Sequence, residues 1–155
     1  VSLGIALTSQ GEIEEAMGHF RKTLEIDPRN AVAHNNLGAA LAGQGRIGEA
    51  VGRFRKAVDV DPLYVAARIN LGRTLGGQGR IEEALTHMQK AVEIDPGNAT
   101  AYYSLGQLLA VRGRNDEARA AYREALRIRP DFADAREELR SLQRLERSPR
   151  PRPAS

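Results

Sequence analysis

Residues 29–62 read RNAVAHNNLGAALAGQGRIGEAVGRFRKAVDVDP, and residues 63–96 read LYVAARINLGRTLGGQGRIEEALTHMQKAVEIDP. Set one beneath the other, the two stretches agree in Asn-Leu-Gly, in Gln-Gly-Arg-Ile, in Glu-Ala, and in the closing Asp-Pro. The same frame extends both ways, because Pro28, Pro62, Pro96 and Pro130 stand 34 residues apart. Leu3, Leu37, Leu71 and Leu105 form one column and Gly4, Gly38, Gly72 and Gly106 the next. Leu7, Leu41, Leu75 and Leu109 form a third, and Gly11, Gly45, Gly79 and Gly113 a fourth. Ala16, Ala50, Ala84 and Ala118 follow, then the large residues Phe20, Phe54, Met88 and Tyr122, and the small ones Thr23, Ala57, Ala91 and Ala125. A constant period of this length means one supersecondary unit copied and stacked.

Inside one copy the apolar spacing is helical and is broken once. Leu37 to Leu41 is a step of four, Ala50 to Phe54 another, and Phe54 to Ala57 a step of three, so each set lies on one helix stripe. Gly45 falls between the two stripes, where a residue of positive φ ends a helix at little cost. The column assigns the same turn to Gly11, Gly79 and Gly113. Pro62 closes the second helix, which its ring cannot continue. Asn30 and Asn98 precede first helices as N-caps, and Asp116 and Glu117 sit where the helix dipole favours negative charge. A glycine inside the first helix costs about 1 kcal/mol relative to alanine. Its return at one phase in every copy points to close approach of two antiparallel helices at Gly38 and Ala50, with Leu37, Leu41 and Phe54 filling the flanks. Gly76 and Gly77 add two more glycines to the third copy's first helix, which is therefore expected to fray first.

These Leu-Gly, Ala, aromatic, Ala and Pro columns, at this period, resemble those of a tetratricopeptide repeat protein. The resemblance covers residues 1 to about 130 and implies an all-α fold. That fold is an α-solenoid of antiparallel helix pairs forming a right-handed superhelix. Four repeats are expected: about 1–28, 29–62, 63–96 and 97–130, the first truncated at its N-terminus. A capping helix follows over 131–147, with Phe132, Ala135, Leu139 and Leu142 on its apolar stripe and Leu145 extending it. Arg140 stands there in the glycine column and could not admit another close helix. Residues 148–155, SPRPRPAS, are too rich in proline and too poor in apolar side chains to pack, and are expected to be disordered. The family's aromatic three residues before the Leu of Leu-Gly survives only as Tyr102; His34 and Arg68 replace it in the second and third copies. His34 is expected to be packed.

Composition sets limits on function. The 155 residues are 41% hydrophobic, enough for a continuous core made of neighbour contacts. No stretch reaches the roughly 18 to 20 apolar residues that span a bilayer. There is no cysteine, which removes thiolate chemistry and disulfides and leaves the compartment open, with the cytoplasm favoured. Twenty Arg against three Lys suggests GC-rich coding and a bacterial source. The sequence starts without an initiator Met inside a helix, which reads as a fragment whose first repeat could self-associate through its uncapped apolar edge. A pI near 9.6 raises the question of nucleic acid. With seven aromatics, most in core columns, and basic charge collected toward the C-terminal end, the distribution argues against it.

The first helices carry little charge, and residues 31–44 carry none, whereas second helices are dense in it. In the family, first helices line the concave surface. The resemblance therefore aims Ile5, Asn35, Asn36, Ala39, Ile69, Asn70, Arg73, Tyr103, Ser104 and Gln107 into a groove suited to an extended peptide. Asn side chains can both donate and accept along a peptide backbone, and Ile69 and Tyr103 supply area. Gly77 and Gly76 could let that backbone approach closely. Slots such as Asn35, Ala39 and Ser104 lack the cations with which chaperone-binding members of the family clamp a terminal carboxylate. Asn36-Leu37-Gly38 and Asn70-Leu71-Gly72 are similar to the repeats of O-linked N-acetylglucosamine transferases. No catalytic set converges: His19 and His87 are two repeats apart, Glu14, Glu15, Glu82 and Glu83 open helices, and no cofactor or metal site is recognisable. The expected function is a non-catalytic scaffold binding a protein or peptide partner. The alternative is the substrate-recruiting arm of a larger bacterial enzyme such as a glycosyltransferase.

Overall fold

The computed structural model describes residues 2–147. Among them are eight helices and no strand: α1 (Ser2–Ile26), α2 (Ala31–Gly43), α3 (Ile47–Val60), α4 (Val65–Gly77), α5 (Ile81–Ile94), α6 (Ala99–Val111), α7 (Asn115–Ile128) and α8 (Ala133–Arg147). Two compact units divide the chain, Val1–His87 and Met88–Ser155, with the boundary inside α5. Within the first, α2 packs on α1, α3 and α4, and α3 on α4; within the second, α7 packs on α6 and α8.

The turn inside each pair is made by backbone geometry. Gly45, Gly79 and Gly113 take φ values of 75°, 77° and 72°. Each lets its own N–H reach back three residues while the following Arg N–H reaches back five, as in Gly45 to Ala42 O and Arg46 to Leu41 O. This double bond pattern satisfies the last carbonyls of α2, α4 and α6. Side chains then pin the start of the next helix. Arg46, Arg80 and Arg114 stand just before α3, α5 and α7, and each grips the Glu three residues on through two nitrogens, with Nε to Oε1 at 2.7 Å in all three.

Between repeats, Ile26, Val60, Ile94 and Ile128 are the last helical residues, and each stands two before a proline. The residue next to the proline is forced out of the helical region, and Asp61 is extended, with φ −130° and ψ 94°. Asp27, Asp61 and Asp95 use that geometry to accept the N–H two residues on, at 3.0 to 3.2 Å. Asn30 and Asn98 cap α2 and α6 as their positions foretold, accepting from Ala33 N and Ala101 N. Where the family carries an aromatic, the substitutes tie the same turn: His34 Nε2 lies 3.0 Å from Pro28 O, Arg68 Nε 2.8 Å from Pro62 O, and Arg136 bonds Pro130 O.

Packing of the pairs depends on the inner glycine. A Cβ on Gly38 would stand 2.8 Å from the Phe54 ring and 3.3 Å from Ala50 O, and one on Gly106 would strike Tyr122 even closer. Leu37, Leu41, Ala50, Phe54 and Ala57 are buried around the first contact; Leu109, Ala118, Tyr122 and Ala125 surround the second.

Two expectations fail. Gly11 makes no turn: α1 runs unbroken from Ser2 to Ile26, and Gly11 is absent from the positive-φ glycines. A clamp is missing there, because Glu12 occupies the column of Arg46, Arg80 and Arg114, three residues before Glu15. Continuing the helix keeps main-chain bonds that a turn would forfeit. At the other end, Ala135 and Leu142 of α8 are buried, but Leu145 is 64% exposed and does not extend the stripe. The expected disorder of 148–155 lies outside the described residues.

The two kinds of helical glycine separate experimentally. Gly38→Ala gains about 1 kcal/mol of helix propensity but overpacks against Phe54 at a cost of about 1 to 3 kcal/mol, so it should lower stability. Gly52, in mid-α3 with nothing within 4 Å of an added methyl, should gain about 1 kcal/mol on substitution by Ala. Urea titrations of the two variants check the opposite signs.

Candidate functional site

In the first unit, α2 and α4 flank an open cleft of about 660 Å³ whose floor includes Ile47 and Phe54 of α3. Ala39 and Ala42 line it from α2, and Asn70, Arg73, Thr74 and Gly77 from α4, with Gln78 just beyond. Its α2 wall is small and neutral because α2 contributes no charged residue. Arg73 is the one charged side chain in the lining; it is exposed and makes no ion pair among the described residues.

The amides beside this cleft bind one another. Asn35 is 6% exposed. Its Oδ1 accepts from Asn70 Nδ2 at 2.9 Å, and its Nδ2 lies 3.3 Å from Asn36 Oδ1 and 3.5 Å from the Tyr64 hydroxyl. Thr74 donates to Asn70 O at 2.7 Å. A buried amide is costly unless paired, and here the pairing reaches across to the neighbouring first helix and its N-cap. Asn35 therefore joins α2 to α4 and is not a free groove donor. Ile69 and Ser104, at 8% and 4% exposed, are likewise buried. Asn36 and Asn70 are half-buried, and Ala39 and Arg73 are exposed. Ile5 lies on α1, in the part whose side chains are not described.

Tyr103, Ser104 and Gln107 belong to α6 of the second unit. Gln107 Nε2 donates to the Tyr103 hydroxyl at 2.9 Å, and the Tyr103 ring lies 6.0 Å from Tyr122 and 4.8 Å from Phe132. Arg129, which replaces the Asp column in the last copy, lies over the Phe132 ring at 3.5 Å. Tyr103 is thus committed to packing at the start of α8.

Sequence families agree with this architecture. A model described as tetratricopeptide repeat matches twice, at residues 35–99 and 69–131, and one described as TPR repeat matches residues 4–45. The chain belongs to the tetratricopeptide repeat family. Among solved structures, MamA is 25% identical with a TM-score of 0.81, covering 90% of this chain and 81% of its own. PilF of Pseudomonas aeruginosa is 27% identical with a TM-score of 0.83, over 94% of this chain and 67% of its own. The first TPR of Spaghetti (RPAP3), bound to the HSP90 peptide SRMEEVD, shares the fold at 23% identity and a TM-score of 0.75, covering 79% and 97%. No curated protein sequence matches. The tetratricopeptide repeat fold is a protein-interaction scaffold and typically a non-catalytic one.

Ion pairs recur on the charged second helices of this tetratricopeptide repeat chain. Among the described residues no three His, Asp or Glu side chains are placed to hold a metal ion, and no helix is long and apolar enough to cross a membrane. Hydrogen bonds from Arg46, Arg80 and Arg114 hold the Glu49, Glu83 and Glu117 carboxyls below the usual carboxylate range. Arg55 reaches Glu83 from α3 at 3.2 Å. His87, half-buried nearby, is pushed down by burial and then by Arg68 and Arg55. The clamp has a signal in the sequence, since Arg and Glu recur three apart in three copies; so does the Asp column before the prolines. The pairing of Asn35 with Asn70 has no such signal, because 35 residues separate them.

Two outcomes test this geometry. Asn35→Ala strands the Asn70 amide and should cost about 1 to 3 kcal/mol in urea denaturation. His87 favours its neutral form when folded, so its contribution is complete above the unfolded value of about 6.5 and is lost as pH falls through the depressed folded value. The melting temperature should therefore decline as pH drops from neutral toward about 5, and His87→Gln should flatten that decline.

Proposed function

We propose that this chain is a non-catalytic scaffold that holds an extended segment of a partner protein in the cleft between α2 and α4. The observation that carries the reading is the cleft itself, open, apolar at its floor and uncharged along one wall. An extended peptide needs side-chain pockets and a few polar partners. Ile47 and Phe54 offer the first, and Asn70, Thr74 and Gln78 the second. Gly77, with nothing within 4 Å of an added methyl, leaves a peptide backbone room to approach. The RPAP3 domain, of the same fold, carries a bound peptide, which supports the mode of binding and not the identity of the ligand.

Asn36→Ala with Asn70→Ala is a poor probe of this site, because losing Asn70 also undoes the buried Asn35. Ala39 is exposed and lines the cleft, so Ala39→Trp fills it with little effect on folding. Peptides selected from a displayed random library against the unmodified chain should bind the Ala39→Trp variant at least about tenfold more weakly, a loss of about 1.4 kcal/mol. Fluorescence anisotropy measures it. Peptides that bind both forms equally, while the melting temperature is unchanged, would remove the cleft from the mechanism.

A further inference from the structure

The cleft lacks a carboxylate that the preceding copy supplies from within the chain. Just past the end of α2, Gln44 Nε2 donates to Glu14 Oε1 of α1 at 2.6 Å. One period later the donor is Gln78, just past α4, and the residue in the column of Glu14 is Gly48 of α3. That column reads Glu14, Gly48, Glu82 and Asp116, so the acid is missing in the copy whose second helix floors the cleft. Gln78 is exposed and lines the cleft, and its side-chain amide makes no hydrogen bond among the described residues. Beside Gly48 the space is open, with nothing within 4 Å of an added methyl. Arg73 lines the same cleft, where Ala39 stands in its column on α2, and none of the lining residues is acidic. Two donor side chains, one of them a cation, thus face a space that holds no anion.

We infer, resting on the cleft's role as a peptide site, that the segment it holds carries an Asp or Glu side chain, which takes for Gln78 and Arg73 the place that Glu14 takes for Gln44. The guanidinium supplies charge-assisted hydrogen bonds, about twice as strong as neutral ones, and the Gln78 amide a directional one. An exposed ion pair contributes little because solvent screens it. Here the bound segment itself covers the pair and removes that screening. A side chain within the segment fits the lining better than a chain end. A terminus needs further donors to fix its backbone, and the remaining polar groups are engaged: Asn70 Nδ2 donates to Asn35 and the Thr74 hydroxyl to Asn70 O. The partner is therefore an extended segment with an apolar side chain for Ile47 and an internal carboxylate for Arg73.

Peptides selected from a displayed random library on the unmodified chain are the probe. They should share an Asp or Glu. Exchanging that residue for Asn or Gln, or Arg73→Gln in the chain, should each weaken binding about tenfold in fluorescence anisotropy, and the two changes together should cost little more than either alone. Gly48→Glu restores the built-in acid and should weaken the same peptides several-fold. Gly48→Gln, of nearly equal size, should leave them unaffected, and the open space at this position lets both variants fold. Peptides that lose binding to Ala39→Trp but share no acid, or that bind Arg73→Gln and Gly48→Glu as tightly as the original, overturn the inference and leave the cleft as the peptide site. Peptides that need a free C-terminal carboxylate, losing binding on amidation while their acidic side chain is dispensable, overturn it equally. Peptides indifferent to Ala39→Trp remove the cleft from the mechanism, and this inference with it.

Discussion

The absence of a Cβ at Gly38 and Gly106 is the constraint on which the rest of the structure depends. With hydrogen in that place, a ring from the second helix lies against the backbone of the first, Phe54 in one pair and Tyr122 in another. The helix accepts about 1 kcal/mol of lost propensity for each such glycine. In return the pair closes tightly enough for Ala50 and Ala57, or Ala118 and Ala125, to be fully buried between helices. Larger residues in those alanine positions would have no room.

Close pairs fix what first helices can present to their neighbours. Once α2 and α4 are held by their own partners, the residues between them either bridge or face outward. Asn35 bridges, accepting a hydrogen bond from Asn70, and Ala39 and Arg73 face out. The cleft beside them is therefore a consequence of pair packing, with no residue that has to be held in strain. The neutral wall on the α2 side follows from a division of labour within that copy. Ion pairs such as Arg46 with Glu49 sit on the second helices, where solvent screens them and their contribution to stability is modest.

Much of this is legible in the sequence. Glycine turns at Gly45, Gly79 and Gly113, caps at Asn30 and Asn98, and the burial of His34 each follow from a rule that acts over a few residues. The groove is harder to read. Its ten expected residues follow from column position, and a column fixes which way a side chain leaves its helix, not how closely the next helix stands. Asn35, Ile69 and Ser104 are accordingly enclosed and Tyr103 engaged by Phe132. Gly11 departs from its column for a related reason. A glycine permits a turn, but a turn forms only where clamp and packing compensate for the helical bonds it gives up.

By itself the sequence determined the repeat, its period, the positions of turns and caps in the complete copies, and the membership of the core, because all of these are set by local sterics and by apolar spacing repeated at fixed phase. Only the tertiary structure decided which amides meet and that Arg73 faces a cleft. Those outcomes depend on the distance between helices, which is a property of packed volumes and not of any single copy.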